Sequence, residues 1–401
     1  MQRDDVGGWY SEAHGALVRA ELKRLALWLA LSLILPAAAQ APVGVEPPFE
    51  LRWVEGKCSG CTTPWTLGAA LFTSRSQAWA VGEAWPPAGA NGVGYRVLLH
   101  TGDGGRVWTE VPQTEYYAIP PSAAFLDVQA GWIETYKMPV AEEVVLQTRN
   151  GGKSWEDVTG KFPVFPRILD ANHWWGIESK PLGRSPDGRT WSRTLMRTSD
   201  GGRTWTKTPL PYESGDFPIV KFLSANVGWI ASLAGDQFLI FRTADGGRSW
   251  EKSLTAPPRR PVQVADLFFL DRSRGWVIVD FNLREGVNGE GSYVFATTDG
   301  GRTWNRQVNE ALQSGPAFWV SFLSERLGFV YVDDYSTQSG DADPAVPALV
   351  YTSDAGAHWH KIVLPNYVAG CQAFRGDLLC SASGKGPGKR SGLIVLTIHP
   401  K

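Results

Sequence analysis

Thr243-Ala-Asp-Gly-Gly-Arg-Ser-Trp250 is one of six copies of a single pattern, Thr-x-Asp/Asn-Gly/Ala-Gly-x-x-Trp, that also occupies 101–108, 148–155, 198–205, 297–304 and 352–359. Each copy brings in a β-former, then a short carboxylate or amide able to accept backbone N–H groups, then glycine for φ > 0, and leaves through a large aromatic. That is a tight hairpin. The acidic or amide positions, Asp103, Asn150, Asp200, Asp245, Asp299 and Asp354, therefore read as structural turn caps rather than as catalytic groups. The copies start 47, 50, 45, 54 and 55 residues apart, a period that suits one four-stranded propeller blade and exceeds that of most helical solenoids.

A second repeat is interleaved with the first. It reads Phe-Leu-x-x-x-x-Gly-Trp followed by an apolar residue, at 125–133, 222–230, 269–277 and 322–330, the last with Phe329 in place of Trp, with degenerate copies at 71–81 and 168–177. It supplies the first two strands of each blade, and the octapeptide joins strands three and four. A seventh unit near the C-terminus has no octapeptide and lacks a fourth strand, which 49–54 can provide from the other end of the chain. The fold expected is all-β: a seven-bladed β-propeller of four-stranded antiparallel blades, its ring closed by an N-terminal strand so that no sheet edge stays open.

Composition fits this expectation. Of 19 Trp, most fall at repeat positions and are assigned to packing between sheets. With 39 basic and 40 acidic residues the net charge is -1, so no overall field attracts nucleic acid or anionic lipid, and no nucleic-acid partner is expected. Residues 1–39 read as a secretory signal peptide with an atypical polar N-terminal extension. Lys23-Arg24 precedes the apolar run 25–35, followed by Pro36 and Ala37-Ala38-Ala39. The run is too short to span a bilayer. Export to the periplasm or beyond the cell is expected, with 40–48 a linker and 49–401 a single propeller domain, present as a monomer and associated with a membrane only through its partner.

In an exported chain, four cysteines suggest two disulfides. Cys371 and Cys380 face each other across a hairpin whose loop is Arg375-Gly376. Cys58 and Cys61 favour a local pair, and a cross-link from either to Cys371 or Cys380 remains the alternative. The six scattered His offer no third ligand to any cysteine or histidine pair, so no metal and no cofactor is expected. The acidic stretch with Asp333, Asp334, Asp341 and Asp343 fits no calcium loop and reads as a solvated insert.

The octapeptides match the Asp-box, or BNR, repeat. With the Gly-Trp strand motif in a seven-fold layout from Phe49 onward, the chain resembles the photosystem II stability and assembly factor family, Ycf48/HCF136. That resemblance implies a non-catalytic propeller that binds a protein partner, a membrane protein or envelope complex, on the far side of the export membrane. The runner-up is a glycoside hydrolase of sialidase-like or other Asp-box type, with a glycan as ligand. No Arg-Ile-Pro motif supports a sialidase.

In a propeller the loops after strands two and four share one face, and the box hairpins lie on the other. Long inserts on the first face hold the residue types that anchor protein interfaces. The residues proposed to bind the partner are Arg259 and Arg260, held between prolines and suited to forked bonds with a carboxylate, together with Tyr116, Tyr117, Trp85 and Arg284.

Overall fold

The structure is a computed structural model that describes residues 47–59, 65–84, 95–111, 116–137, 142–185, 188–212, 218–234, 237–255, 261–281, 291–307, 310–336, 345–374, 376–383 and 391–398. The leader and Cys61 lie outside them. So do Trp85, Arg259, Arg260 and Arg284. Among the described residues there is no α-helix, only a single 3₁₀ turn at Glu310–Leu312.

Seven sheets follow one another along the chain. Blades 1 to 6 occupy 65–110, 116–157, 167–209, 219–255, 261–307 and 317–363. Blade 7 takes three strands from 367–398 and its fourth, Phe49–Glu55, from the N-terminal side. That strand runs antiparallel to Ser391–Ile398, from Phe49 opposite Ile398 to Glu55 opposite Gly392. The chain then crosses the seam at Gly56, and Lys57–Ser59 pairs in parallel with the outer strand of blade 1. Blade 1 therefore has five strands, one more than expected, and the N-terminal segment holds both sides of the closing joint.

The box acts as a cap in every blade that has one. In blade 4 the Thr243 hydroxyl donates to Asp245 Oδ1 at 2.8 Å and accepts the Gly247 N–H at 2.7 Å. Asp245 Oδ1 accepts the N–H groups of Arg248 and Ser249, and the Ser249 hydroxyl donates to Oδ2. The box also grips the turn between strands one and two of its own blade. The N–H groups of Gly104, Gly151, Gly201, Gly246, Gly300 and Ala355 donate to the carbonyls of Ser76, Gln129, Asn172, Asn226, Ser273 and Arg326, at 2.7–3.0 Å.

Aromatic side chains fill the seams. Trp229 of blade 4 stacks on Phe269 of blade 5 with centroids 3.4 Å apart, and Trp276 of blade 5 stacks on Phe322 of blade 6 at 3.5 Å. The box tryptophans Trp304 and Trp359 meet those same phenylalanines edge-on, a geometry that the ring quadrupole favours. Glycine before the strand-two tryptophan leaves room for the phenylalanine: a Cβ on Gly228 would lie 2.6 Å from the Phe222 ring.

The innermost strand of a blade is a sheet edge, and in blades 1, 6 and 7 a free N–H group of that strand finds an acceptor on the preceding blade. Gln372 of blade 7 accepts from Phe72 of blade 1 at 2.8 Å, Asp266 of blade 5 from Val320 of blade 6 at 3.1 Å, and Tyr331 of blade 6 from Val368 of blade 7 at 3.3 Å.

Several sequence expectations need correction. Tyr116 and Tyr117 open the inner strand of blade 2, Tyr116–Phe125, rather than lying in a connecting loop. Asp333 and Asp334 end the strand Gly328–Asp334, where they pair with Pro347 and Val346 of the next strand. Asp334 is buried and ion-paired with Lys361, so it is no part of a solvated insert. Cys371 and Cys380 are bonded across directly opposed strand positions. Cys58 is disulfide-bonded too, so with those two joined to each other no bridge links Cys58 to the last blade.

Candidate functional site at the seam of blades 3 and 4

Blade 3 departs from the repeat where it meets blade 4. In place of Gly-Trp it has Trp174-Trp175, preceded by His173, and Ile168 stands opposite Trp174 where blades 2, 4, 5 and 6 place phenylalanine opposite glycine. Trp174 turns back toward Trp132, 4.9 Å away, and is buried there. Trp175 keeps the repeat position facing blade 4, but its ring meets Phe222 at 5.3 Å and 60°, in contrast to the flush stacks of the next two seams. This looser joint leaves a cleft of about 250 Å³ on the box face, lined by residues that include His173, Trp175, Arg197, Thr204, Asn226 and Arg248.

The strand register explains the chemistry of the cleft. Directly opposed residues point to the same face of a sheet. Trp175 lies opposite Arg167 on the inner strand and Arg197 on the third strand, and Arg197 lies opposite Thr206 on the outer strand. One blade on, the same rung reads Lys221, Trp229, Arg242 and Glu251. There Arg242 is ion-paired with Glu251 at 3.0 Å. Threonine at 206 removes the acid from the blade 3 rung, so the Arg197 guanidinium faces the cleft without a carboxylate opposite it.

Two donors in this cleft lack acceptors. The Nε of Arg197 and the Nε1 of Trp175 are both buried and unbonded. Trp132 and Trp276 also leave their indole N–H groups unpaired, so it is the combination with an unmatched arginine on an open cleft that sets this seam apart. Burial and the positive charge of Arg248 push the Arg197 guanidinium below the usual arginine value, and Asp245 acts in the opposite sense. Asp245 is the sole carboxylate among the described lining residues, and its oxygens are engaged by the box. Hydrogen bonds from Ser249 and Thr243 outweigh burial and hold its pKa well below the normal aspartate range. The cleft is thus rich in donors and poor in free acceptors, the composition that receives a carboxylate. It lacks the pair of carboxylates that glycoside hydrolysis uses.

Other tyrosine and histidine side chains are accounted for locally. Tyr212 stacks on Phe241 at 6.0 Å. His358 bonds Asp354 within its own box, and His360 lies against Tyr351. Among the described residues no cluster of three His, Cys, Asp or Glu side chains is placed to hold a metal ion.

Box hairpins, four-stranded sheets and strand closure define the class: a seven-bladed Asp-box β-propeller. Residues 190–341 match the family described as photosynthesis system II assembly factor YCF48, and by sequence the chain is similar to Ycf48/HCF136 proteins. Over 251 residues it is 26% identical to the photosystem II stability/assembly factor HCF136 of Arabidopsis thaliana, a match that spans 59% of this chain and 57% of that protein. Similar solved structures include YCF48 from Cyanidioschyzon merolae, at 16% identity and a TM-score of 0.49, covering 87% of this chain and 98% of that one. Another is described as YCF48 bound to D1 peptide, at 17% identity and a TM-score of 0.48, covering 90% and 98%.

Proposed function

We propose that the protein is an exported, non-catalytic propeller that binds a protein partner in a membrane complex and stabilises it during assembly, with the blade 3–4 seam receiving a carboxylate of that partner. The observation that carries this reading is Arg197, a guanidinium in an open cleft with its Nε unbonded and no carboxylate across the sheet. The match of 190–341 to the YCF48 family model supports the assembly-factor part of this reading. The names of the curated relatives supply the role of assembly or stability factor. The leader expected at 1–39 supports export, which would bring the protein to the lumenal or periplasmic parts of such a complex.

Capture from host envelope extracts tests this reading. Wild-type protein is expected to retain one membrane protein that Arg197→Ala does not. If neither retains a protein and wild type instead releases sugar from a polysaccharide panel, the glycosidase reading replaces this one.

A further inference from the structure

On the opposite face, the seam between blades 6 and 7 has the reverse chemistry. Tyr331, Asp333 and Tyr335 follow one another at alternate positions, so they share the face that blade 6 turns to blade 7. Asp333 and Tyr335 are held by backbone bonds from their N–H groups to the carbonyls of Pro316 and Ser314. The inner strand beside them is bulged, with Ala317 opposite Val332 and Trp319 opposite Tyr331, so that Phe318 is the extra residue. Bulges at rims re-aim side chains, and this one brings the Phe318 ring to 5.8 Å from Tyr331. Blade 7 contributes Tyr367, whose hydroxyl is anchored on the Ala345 carbonyl.

This group contains one carboxylate, and its partners are phenolic. The Tyr331 hydroxyl donates to Asp333 Oδ1 at 2.9 Å. Burial and then the Asp333 charge push Tyr331 upward, and Tyr367 is raised by burial, by Asp333 and by Tyr335. Tyr331 is therefore a neutral donor to a negative centre, with the neutral Tyr367 phenol nearby. No cation among the described residues stands within ion-pair distance of Asp333, whereas its neighbour Asp334 is paired with Lys361. Phe318 and Tyr335 are 44% and 43% exposed, and both rank among the few large apolar side chains open to solvent. An unmatched carboxylate beside accessible aromatic rings is suited to a cation, which gains from the charge and from the ring faces within about 6 Å.

We propose that Asp333, Tyr335 and Phe318 form a receptor for a lysine or arginine side chain of an extended segment of a protein partner. The single carboxylate fixes the charge of the guest, and the exposed rings take its aliphatic stem as well as its cationic head. Together with the Arg197 seam, the two faces would read opposite charges.

The test is calorimetric titration at low ionic strength with acetyl-Gly-Lys-Gly-Lys-Gly-amide and with its norleucine counterpart. Both peptides lack a carboxylate, so neither can use the Arg197 seam, and the two readings stand or fall separately. The lysine peptide is expected to bind at least tenfold more tightly than the norleucine peptide. Asp333→Asn, which keeps an acceptor for Tyr331, is expected to abolish that preference at unchanged melting temperature, and Phe318→Ala to weaken binding at least threefold. Equal binding of the two peptides, or full lysine preference in Asp333→Asn, overturns the proposal. Asp333-dependent binding of tetramethylammonium without binding of the lysine peptide also overturns it, in favour of a small quaternary ammonium ligand.

Discussion

Trp229 donates its indole N–H to the carbonyl of Gly300 at 2.9 Å, tying the second strand of blade 4 to the box of blade 5. The equivalent tryptophan one blade earlier, Trp175, makes no such bond. Trp132 and Trp276 lack it as well, so that bond is particular to the blade 4–5 joint, whereas the blade 3–4 joint differs by tryptophan for glycine at 174, isoleucine for phenylalanine at 168 and threonine at 206 where blade 4 has Glu251. Together they convert a closed joint into an open, donor-lined one.

The close fit of box to neighbouring blade predicts that Gly152→Ala is severely destabilising. Gly152 has φ +78°, and an added Cβ would lie 1.9 Å from the Trp79 ring of blade 1. The left-handed backbone and the overpacked seam together should cost about 3 kcal/mol, read as a lower urea midpoint. A midpoint within experimental error of wild type would show that the seam yields more easily than its geometry implies.

Ala355 is the opposite case. It holds φ 65° where the other five boxes have glycine. Relief of that strain exceeds the added freedom of glycine in the unfolded chain, so Ala355→Gly should raise stability by roughly 0.5–1 kcal/mol. Thermal unfolding of the two proteins side by side measures it, and a lower melting temperature would count against the strain.

Removing a cap should weaken the fold without touching the seam. Asp299 accepts the N–H groups of Arg302 and Thr303 and the hydroxyls of Thr297 and Thr303. Asp299→Ala is expected to cost about 1 kcal/mol while the folded protein binds its partner as wild type does. Loss of binding in the folded variant would assign the boxes a direct role.

The same caps predict acid lability. Burial alone would raise Asp299, but bonds from Thr303, Thr297 and Arg302 bring it down to about 2, and Asp200 and Asp245 are lowered further. A depressed folded pKa means that the unfolded chain takes up protons first, below about pH 4. The stabilisation is therefore complete above that pH and is lost as pH falls toward 2. Urea midpoints at pH 7, 4 and 3 should fall in that order, and the fall should be shallower in Asp299→Asn; equal midpoints would contradict the linkage.

The octapeptides made most of the fold legible, because each residue in them has a local duty: Thr243 and Asp245 bond within four residues of themselves. Closure by 49–54 was legible for the same reason that a missing strand is, through counting. The short parallel strand Lys57–Ser59 was hidden, since its partner strand is distant in sequence and three residues are too few to establish a period. The blade 3–4 seam was visible only as a failure of the pattern, His173-Trp174-Trp175 for Gly-Trp, whose meaning depends on what blade 4 presents across it. Loops rich in Arg and Tyr carry the sequence signal of an interface, whereas Arg197 is a strand residue whose significance lies in the threonine opposite.

The central claim is that Arg197 receives a carboxylate of the partner, and the dissociation constant of the captured partner for wild type, Arg197→Lys and Arg197→Ala measures it most directly. A lost charged hydrogen bond is worth about 1.5–3 kcal/mol, so Arg197→Ala should weaken binding by roughly ten- to a hundredfold, with Arg197→Lys in between and melting temperatures unchanged. Identical constants for the three folded proteins would place the partner elsewhere on the ring.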